Sequence, residues 1–287
     1  MGEECRIEII KTTGDKITDV GLSQIGAQVG SKGLFTKEIE EALLEGAIDI
    51  AVHSLKDMPT ELPDGLTLAA IPEREDPRDA LAGRALEDLP HGARIGTGSL
   101  RRSAQLRARR PDLQIEDIRG NVDTRLRKLD EGRYDAIVLA AAGLRRLGLE
   151  NRITEVFNPG VMCPAAGQGA LAVETRNDGG RAFQIAQRLE HPDIRAAVTA
   201  EREVLASLGG GCQAPVGSYA YVNDATLYVI GLIISPDGSK LIRHAKHGLL
   251  ADASALGHSL AEQLLAEGGK QILEAVYGTP QLTEPRP

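Results

Sequence analysis

Arginine carries the most informative pattern in this chain of 287 residues. Between Arg94 and Arg133 stand eleven Lys or Arg against six Asp or Glu, inside a chain whose net charge is −8. Arg101 and Arg102 fall in the first turn of a predicted helix, where the macrodipole disfavours cations. Arg119 closes a predicted strand, just before Gly120 and a new helix. Arg125 lies about one turn into that helix. Ligands of open α/β sheets bind at the carboxyl ends of strands. Arginines beside helix N-termini and backbone N–H groups favour anions. The pattern points to a site for several carboxylates or phosphates. Arg107, Arg109 and Arg110 read instead as a solvated basic face.

Two further features bear on chemistry. Lys56-Asp57 follows a predicted strand. A carboxylate facing an arginine-rich cleft would partner a cationic intermediate, although a surface ion pair has the same sequence. Cys212 lies in Gly209-Gly210-Gly211-Cys212-Gln213-Ala214-Pro215. Three glycines permit close backbone approach. The thiol there reads as a nucleophile or attachment point, or as a small buried residue. Cys5 and Cys163 lack such a context and read as structural. His53 is the one histidine near these groups. No HxxxH, HExxH or CxxC spacing occurs, so no metal is expected. Neither a P-loop nor a strand-linked GxGxxG is present.

The elements that must position these residues follow from pattern. Strands are expected at Arg6 to Ile10 and Ile48 to Val52, with a helix between them from the Thr36 cap through Glu45. Pro59, Pro63, Pro72 and Pro77 then punctuate the chain, and Glu73 to Asp79 reads as a charged crossover. A second unit follows: strand Arg94 to Gly96, helix Ser99 to Arg109 stopped by Pro111, strand Leu113 to Ile118, helix Asn121 to Glu131, strand Tyr134 to Ala141. Such β-α-β units imply a parallel sheet. Cys163 to Gly169 is a second hinge candidate, and Ala170 to Glu174 a strand returning to the first unit. A helix Ile194 to Leu208 opens a third unit. Antiparallel strands Gly217 to Val222, Thr226 to Ile234 and Lys240 to Lys246 follow, then a helix from Ala253 to Tyr277.

Composition narrows the function classes. Apolar residues make up 42% and charged residues 26%, as in a folded globular chain. The acidic balance and the absence of Trp, with three Phe and five Tyr, argue against a nucleic-acid binder. No apolar run is long enough to span a membrane. The N-terminus lacks a signal-peptide h-region. An odd number of cysteines at long spacings fits a reducing cytoplasm.

The motifs converge on a family. His53-Ser54-Leu55-Lys56-Asp57-Met58-Pro59 resembles the HS-x-KD-x-P signature of the porphobilinogen deaminase (hydroxymethylbilane synthase) family. Glu73-Arg74-Glu75-Asp76-Pro77-Arg78-Asp79 is similar to its ERxDPRD segment. Gly96 to Arg102 matches GT-x-SLRR, and Arg119 to Leu126 matches RGNV-x-TRL. Gly167-Gln168-Gly169-Ala170 and Gly210 to Gly217 complete a set that runs in order from about Ile7 to Tyr277.

The resemblance implies a transferase. It would condense porphobilinogen units head to tail, with loss of ammonia, into hydroxymethylbilane. The primer would be a dipyrromethane cofactor joined to Cys212. Asp57 would be the catalytic carboxylate, holding pyrrole N–H groups. Lys56, Ser99, Arg101, Arg102 and Arg119 would grip cofactor carboxylates. Arg125 and Arg146 would serve the substrate or growing chain. Ser54, Phe35 and Gln168 would line the cleft, with Lys32-Gly33 in a loop over it. The implied fold class is α/β: two doubly wound lobes like those of periplasmic binding proteins, plus a small α+β C-terminal domain. Domain 1 would comprise 1–72 and 170–187, domain 2 77–163 and domain 3 192–287. A cytoplasmic monomer is expected, with no nucleic-acid or membrane partner.

The family's usual opening, R-I-x-T-R-x-S-x-L-A-x-x-Q on a strand and helix, has no match here. The chain is expected to start at what is usually the second strand, as with a late start codon or a shortened chain, and cofactor binding is expected to weaken. Gln28 stands where many relatives carry lysine. Two other readings remain open at this point: a family member inactivated by shortening, and a non-catalytic two-lobed anion-binding protein.

Overall fold

Alternation along two strands decides the layering of the central sheet. In β3 (Asp79–Gly83), Leu81 faces one side and Ala82 the other. In β6 (Ala136–Ala140), Ala136 and Val138 face the first side, and Ile137 and Leu139 the second. Both faces are apolar, so both must be covered. Helix α2 (Leu100–Arg109) covers the first through Leu106. Helices α3 (Val122–Asp130) and α4 (Ala141–Arg146) cover the second through Leu126 and Leu144. The result is a doubly wound α/β lobe. Its strand order is β5 (Gln114–Glu116), β4 (Arg94–Gly96), β6, β3, β7 (Ile153–Val156).

The computed structural model describes residues 4–10, 12, 36–209 and 214–277. Phe35, Cys212, Lys32-Gly33 and Gln28 lie outside them. Strand β4 runs parallel to β5 and β6, as the repeated β-α-β pattern requires. Strand β3 runs antiparallel to β6 and β7, so the sheet is mixed.

The first lobe is built on a smaller antiparallel sheet, in the order β1 (Ala51–Ser54), β8 (Leu171–Arg176), β2 (Leu66–Ala70). Helix α1 (Lys37–Leu44) packs Leu43 on Ala51 and Leu66. Helix α5 (Arg181–Gln187) packs Ala186 on Ala69, Ala70 and Val173. Strand β8 brings the chain back from the second lobe, as expected. The expected strand from Arg6 to Ile10 does not form. Its alternation is strand-like, but no strand among the described residues takes up its backbone groups, and Ile7 and Ile9 are exposed.

In the C-terminal part, β9 (Val216–Asn223), β10 (Thr226–Ile234) and β11 (Leu241–Leu249) form an antiparallel sheet. One face carries α6 (Pro192–Ser207) and α7 (Ala253–Leu264), with Val204, Leu227, Val229 and Leu260 in the shared core. The long terminal helix read from sequence is broken. At Gly268 φ is +109°, a conformation that suits glycine, and a separate α8 (Lys270–Tyr277) follows. The other face of the sheet lays Leu232 and Ile234 against Ala104 of α2 and Cys163. Among the described residues no helix is long and apolar enough to cross a membrane.

Candidate active site

Local signals place the charged groups with precision. Ser99 caps α2, its Oγ accepting from the Arg102 N–H. Asn121 caps α3, its Oδ1 accepting from the Thr124 N–H at 3.0 Å. These caps fix where each helix starts, and so put Arg101, Arg102 and Arg125 in first turns facing the strand ends. Gly120 has φ +110°, and a Cβ there would lie 2.6 Å from Thr124 Cγ2. Only glycine lets the chain turn this tightly from Arg119 into α3.

Opposite these helix starts, β1 runs into a 3₁₀ turn over Leu55–Asp57. Leu55 anchors the turn in the first lobe's core, while Ser54 and Asp57 are exposed. The Asp57 carboxylate has no hydrogen-bond partner among the described residues. It lies within electrostatic reach of Lys56, Arg102 and Arg125. The structure thus brings together residues of both lobes: Lys56 and Asp57 from one, and Arg101, Arg102, Arg119 and Arg125 from the other.

Positive charge predominates there and is poorly hydrated. Burial lowers the Lys56 pKa; Arg102 and Arg101 push the same way, and Asp57 and Asp79 oppose them. Arg125 is lowered to about 10, first by burial and then by Arg102 and Arg119. A guest bearing several carboxylates would relieve that repulsion, and a neutral one would not. Among the described residues the side-chain partner of Arg119 is the exposed Asp117, its Oδ2 accepting from Arg119 Nε at 3.3 Å. Arg125 Nε donates to the Gly120 carbonyl at 2.7 Å.

Arg101 and Arg102 are placed differently from the others. Both are buried around Asp79, itself fully inaccessible. Arg101 Nη1 donates to Asp79 Oδ2 at 2.6 Å and to the Cys163 carbonyl at 2.5 Å. Arg102 Nε donates to Asp79 Oδ1 at 2.9 Å, and its Nη1 to the Val138 carbonyl at 3.2 Å. Gln168 completes the cluster. Its Nε2 donates to Asp79 Oδ1 at 2.9 Å and to the Pro77 carbonyl at 2.7 Å, and its Oε1 accepts from Arg102. Gln168 therefore sits behind the cleft wall, not on its surface. Burial alone would raise the Asp79 pKa, but the two guanidinium groups override it and hold the carboxyl well below the usual range.

Arg146 is set apart from this cluster. Its Nη2 donates to the Gly169 carbonyl at 2.7 Å, at the second crossover between the lobes. Cys163 is buried, and burial pushes its thiol up to about 12. It is therefore no thiolate nucleophile. Arg107 and Arg110 are not simply solvated: Arg107 bonds the Pro236 carbonyl, and Arg110 bonds Asp112 and the Leu86 carbonyl.

Sequence reasoning missed Asp79 as a partner, and the signal was present. Two adjacent cations in a first helical turn need a counter-charge, and Asp79 is the acidic residue that closes the charged crossover. It also missed Glu201, which receives Arg74, and Arg202. Both sit on α6, a helix whose pattern reads as packing alone.

Comparison with known proteins bears on the whole chain. A family model described as "Porphobilinogen deaminase, dipyromethane cofactor binding domain" matches residues 1–184. A second, "Porphobilinogen deaminase, C-terminal domain", matches residues 195–266. The porphobilinogen deaminase of Syntrophobacter fumaroxidans is 49% identical, over 96% of this chain and 89% of its own length. That of Roseiflexus castenholzii is 53% identical, over 93% of this chain and 88% of its own. That of Syntrophotalea carbinolica is 53% identical, over 94% and 86%. With its arginine-lined cleft, its Asp57 turn and these matches, the chain belongs to the porphobilinogen deaminase family.

Proposed function

We propose that this chain condenses porphobilinogen units head to tail, with loss of ammonia, into hydroxymethylbilane on a dipyrromethane primer joined to Cys212. The observation that carries the reading is an Asp57 carboxylate with no hydrogen-bond partner among the described residues, set within electrostatic reach of the desolvated cations Lys56, Arg102 and Arg125. An anion-binding protein would need the cations and not the aspartate.

The residues fit a group rich in acetate and propionate arms. Lys56, Ser99 and Arg119 present donors at strand and helix ends, where such arms can be held. Arg101 and Arg102 contribute the positive field of their buried pair and any N–H not taken by Asp79. When attached, the dipyrromethane supplies the pyrrole carbon that receives an incoming unit. Asp57 accepts hydrogen bonds from pyrrole N–H groups and offsets positive charge as ammonia departs. Arg125 holds carboxylates of the incoming unit, and Arg146 those of the growing chain near the crossover. Ser54 and Phe35 line the cleft, and Gln168 holds Arg102 in place from behind.

In this reading the chain works as three units: 1–72 with 170–187, 77–163 and 192–287. Every group used lies on one chain, which suits a monomer. Attachment through sulfur needs Cys212 as a thiol, which suits the cytoplasm.

The test is the intact mass of the chain purified from a host that makes porphobilinogen. An adduct of two condensed pyrrole units, lost on Cys212→Ser, together with ammonia release from porphobilinogen, supports the reading. An unmodified chain that binds porphobilinogen without releasing ammonia would overturn it in favour of a binding protein.

A further inference from the structure

Helix α6 is wired to two places at adjacent residues. Glu201 and Arg202 point about 100° apart on the helix. Glu201 faces the lobe crossovers, where it takes Arg74 and the Gly167 N–H. Arg202 faces the turn that carries Asp57. Its Nη2 donates to the Pro59 carbonyl at 2.6 Å and the Thr60 carbonyl at 3.3 Å, and its Nη1 reaches the Met58 carbonyl at 3.5 Å. These three carbonyls directly follow Asp57 in sequence.

The turn needs such a grip. Backbone bonds hold the start and end of the turn: the Leu55 N–H donates to the Ala170 carbonyl at 3.0 Å, and the Met58 N–H to the Leu55 carbonyl at 3.2 Å. No backbone N–H among the described residues takes the carbonyls of Met58, Pro59 or Thr60. A planar guanidinium can hold several carbonyls in one fixed fork, which an ammonium cannot. Apolar packing of Leu55, Met58 and Ile71 with Val198 of α6 supports the same joint from below.

We propose that Arg202 is a positioning residue. It fixes the Asp57 turn to α6, so that the carboxylate keeps one position against the neighbouring cations. The proposal rests on the active-site reading above. It adds that α6, outside the cleft, sets the reach of Asp57.

Beside Arg202 lies a cavity of about 180 Å³, lined by Leu55, Thr60, Ile71 and Val198 among others. It offers room for a small cation once the side chain is shortened, so chemical rescue is practicable. The experiment uses purified holoenzyme carrying Arg202→Lys, Arg202→Met or Arg202→Ala, with Asp57→Asn as the reference.

For Arg202→Met the adduct mass should be retained. The value of kcat should fall on the order of 100-fold, as misplacement of a reacting group does, while KM holds. Amide hydrogen exchange at residues 56–60 should quicken. Methylguanidinium should restore part of the rate of Arg202→Ala. Arg202→Met added to Asp57→Asn should slow the enzyme no further, because both act through one carboxylate. Arg202→Lys, which keeps charge and stem, guards against misfolding: lowered kcat with a full adduct supports the proposal. Unchanged kcat in Arg202→Lys and Arg202→Met would overturn it, as would losses that multiply with Asp57→Asn. Asp57→Asn turning over at the full rate would overturn the active-site reading itself, and this proposal with it.

Discussion

Arg74 meets Glu201 end-on, Nη1 donating to Oε1 at 2.7 Å and Nη2 to Oε2 at 3.0 Å. The same carboxylate accepts the Ala220 N–H and the Gly167 N–H, each at 2.7 Å. Four donors from both lobe crossovers and β9 thus converge on one side chain of α6. Both partners are buried, at 5% and 0% side-chain exposure. Removing one leaves an uncompensated charge away from water. Arg74→Met should therefore cost about 3–5 kcal/mol, the range for breaking a buried pair. Replacing both residues by methionine should cost less than the two single losses combined. Urea unfolding of Arg74→Met, Glu201→Met and the double variant checks this; fully additive losses would show that the two residues act separately.

Asp79 should control stability in acid. Its folded-state pKa is held below the ordinary value, so its ionised form is the stabilising one. That contribution is fully present above the ordinary aspartate range, about 4. It is lost as pH falls through the folded-state value. The parent chain should accordingly lose stability more steeply between about pH 4 and pH 2 than Asp79→Asn, which has no such proton to take up. At neutral pH the same variant should be the less stable of the two, because Arg101 and Arg102 are left without their counter-charge. Urea midpoints at pH 7, 4 and 3 measure both effects.

What was legible in the sequence was what local chemistry decides. Ser99, Asn121 and Pro111 marked helix ends to within a residue, because capping and the proline stop act over a few bonds. Strand β3 was not legible. Its Asp-Ala-Leu-Ala-Gly has small side chains and charged flanks, and its pairing partners, Ala140 and Val156, are distant in sequence. Arg6 to Ile10 failed in the opposite way: the pattern is local, but a strand exists only with a neighbour. The cleft was half legible. Arg101 and Arg102 were rightly read as needing an anion, yet part of the answer is internal, in Asp79. Nothing local could reveal that, since β3 and α2 meet only in the folded chain.

Arg125 offers a separation of binding from stability. Burial and the neighbouring Arg102 and Arg119 disfavour its charge. Arg125→Leu removes a like charge along with one bond to the Gly120 carbonyl. Thermal stability of the cofactor-free chain should shift by less than about 3 °C, since a small loss meets a small gain. Affinity for porphobilinogen should fall, and KM should rise about tenfold or more, as for loss of one charge-assisted contact. Thermal melts and steady-state kinetics on the same preparation decide it. A large loss of stability with unchanged KM would assign Arg125 to the fold instead of the substrate.

Asp57, in the turn after β1, and Arg119, between β5 and α3, should fail in different ways. Asp57 has no partner to lose among the described residues, so Asp57→Asn should leave folding intact. The amide keeps one acceptor oxygen but lacks the negative charge that the departure of ammonia calls for. Turnover should drop about 10²- to 10⁴-fold, the range for a positioned acid or base, with the two-pyrrole adduct still present. Among the described residues the one carboxylate paired with Arg119 is the exposed Asp117, and the guanidinium can exchange it for a carboxylate arm. Arg119→Leu should therefore lower the fraction of chains that carry the adduct, while chains that do carry it turn over at a nearer-normal rate. Intact mass and single-turnover ammonia release, measured on both variants, separate assembly of the primer from catalysis upon it. A full adduct in Arg119→Leu would move that arginine out of the cofactor site, and undiminished turnover in Asp57→Asn would remove the carboxylate from the chemistry.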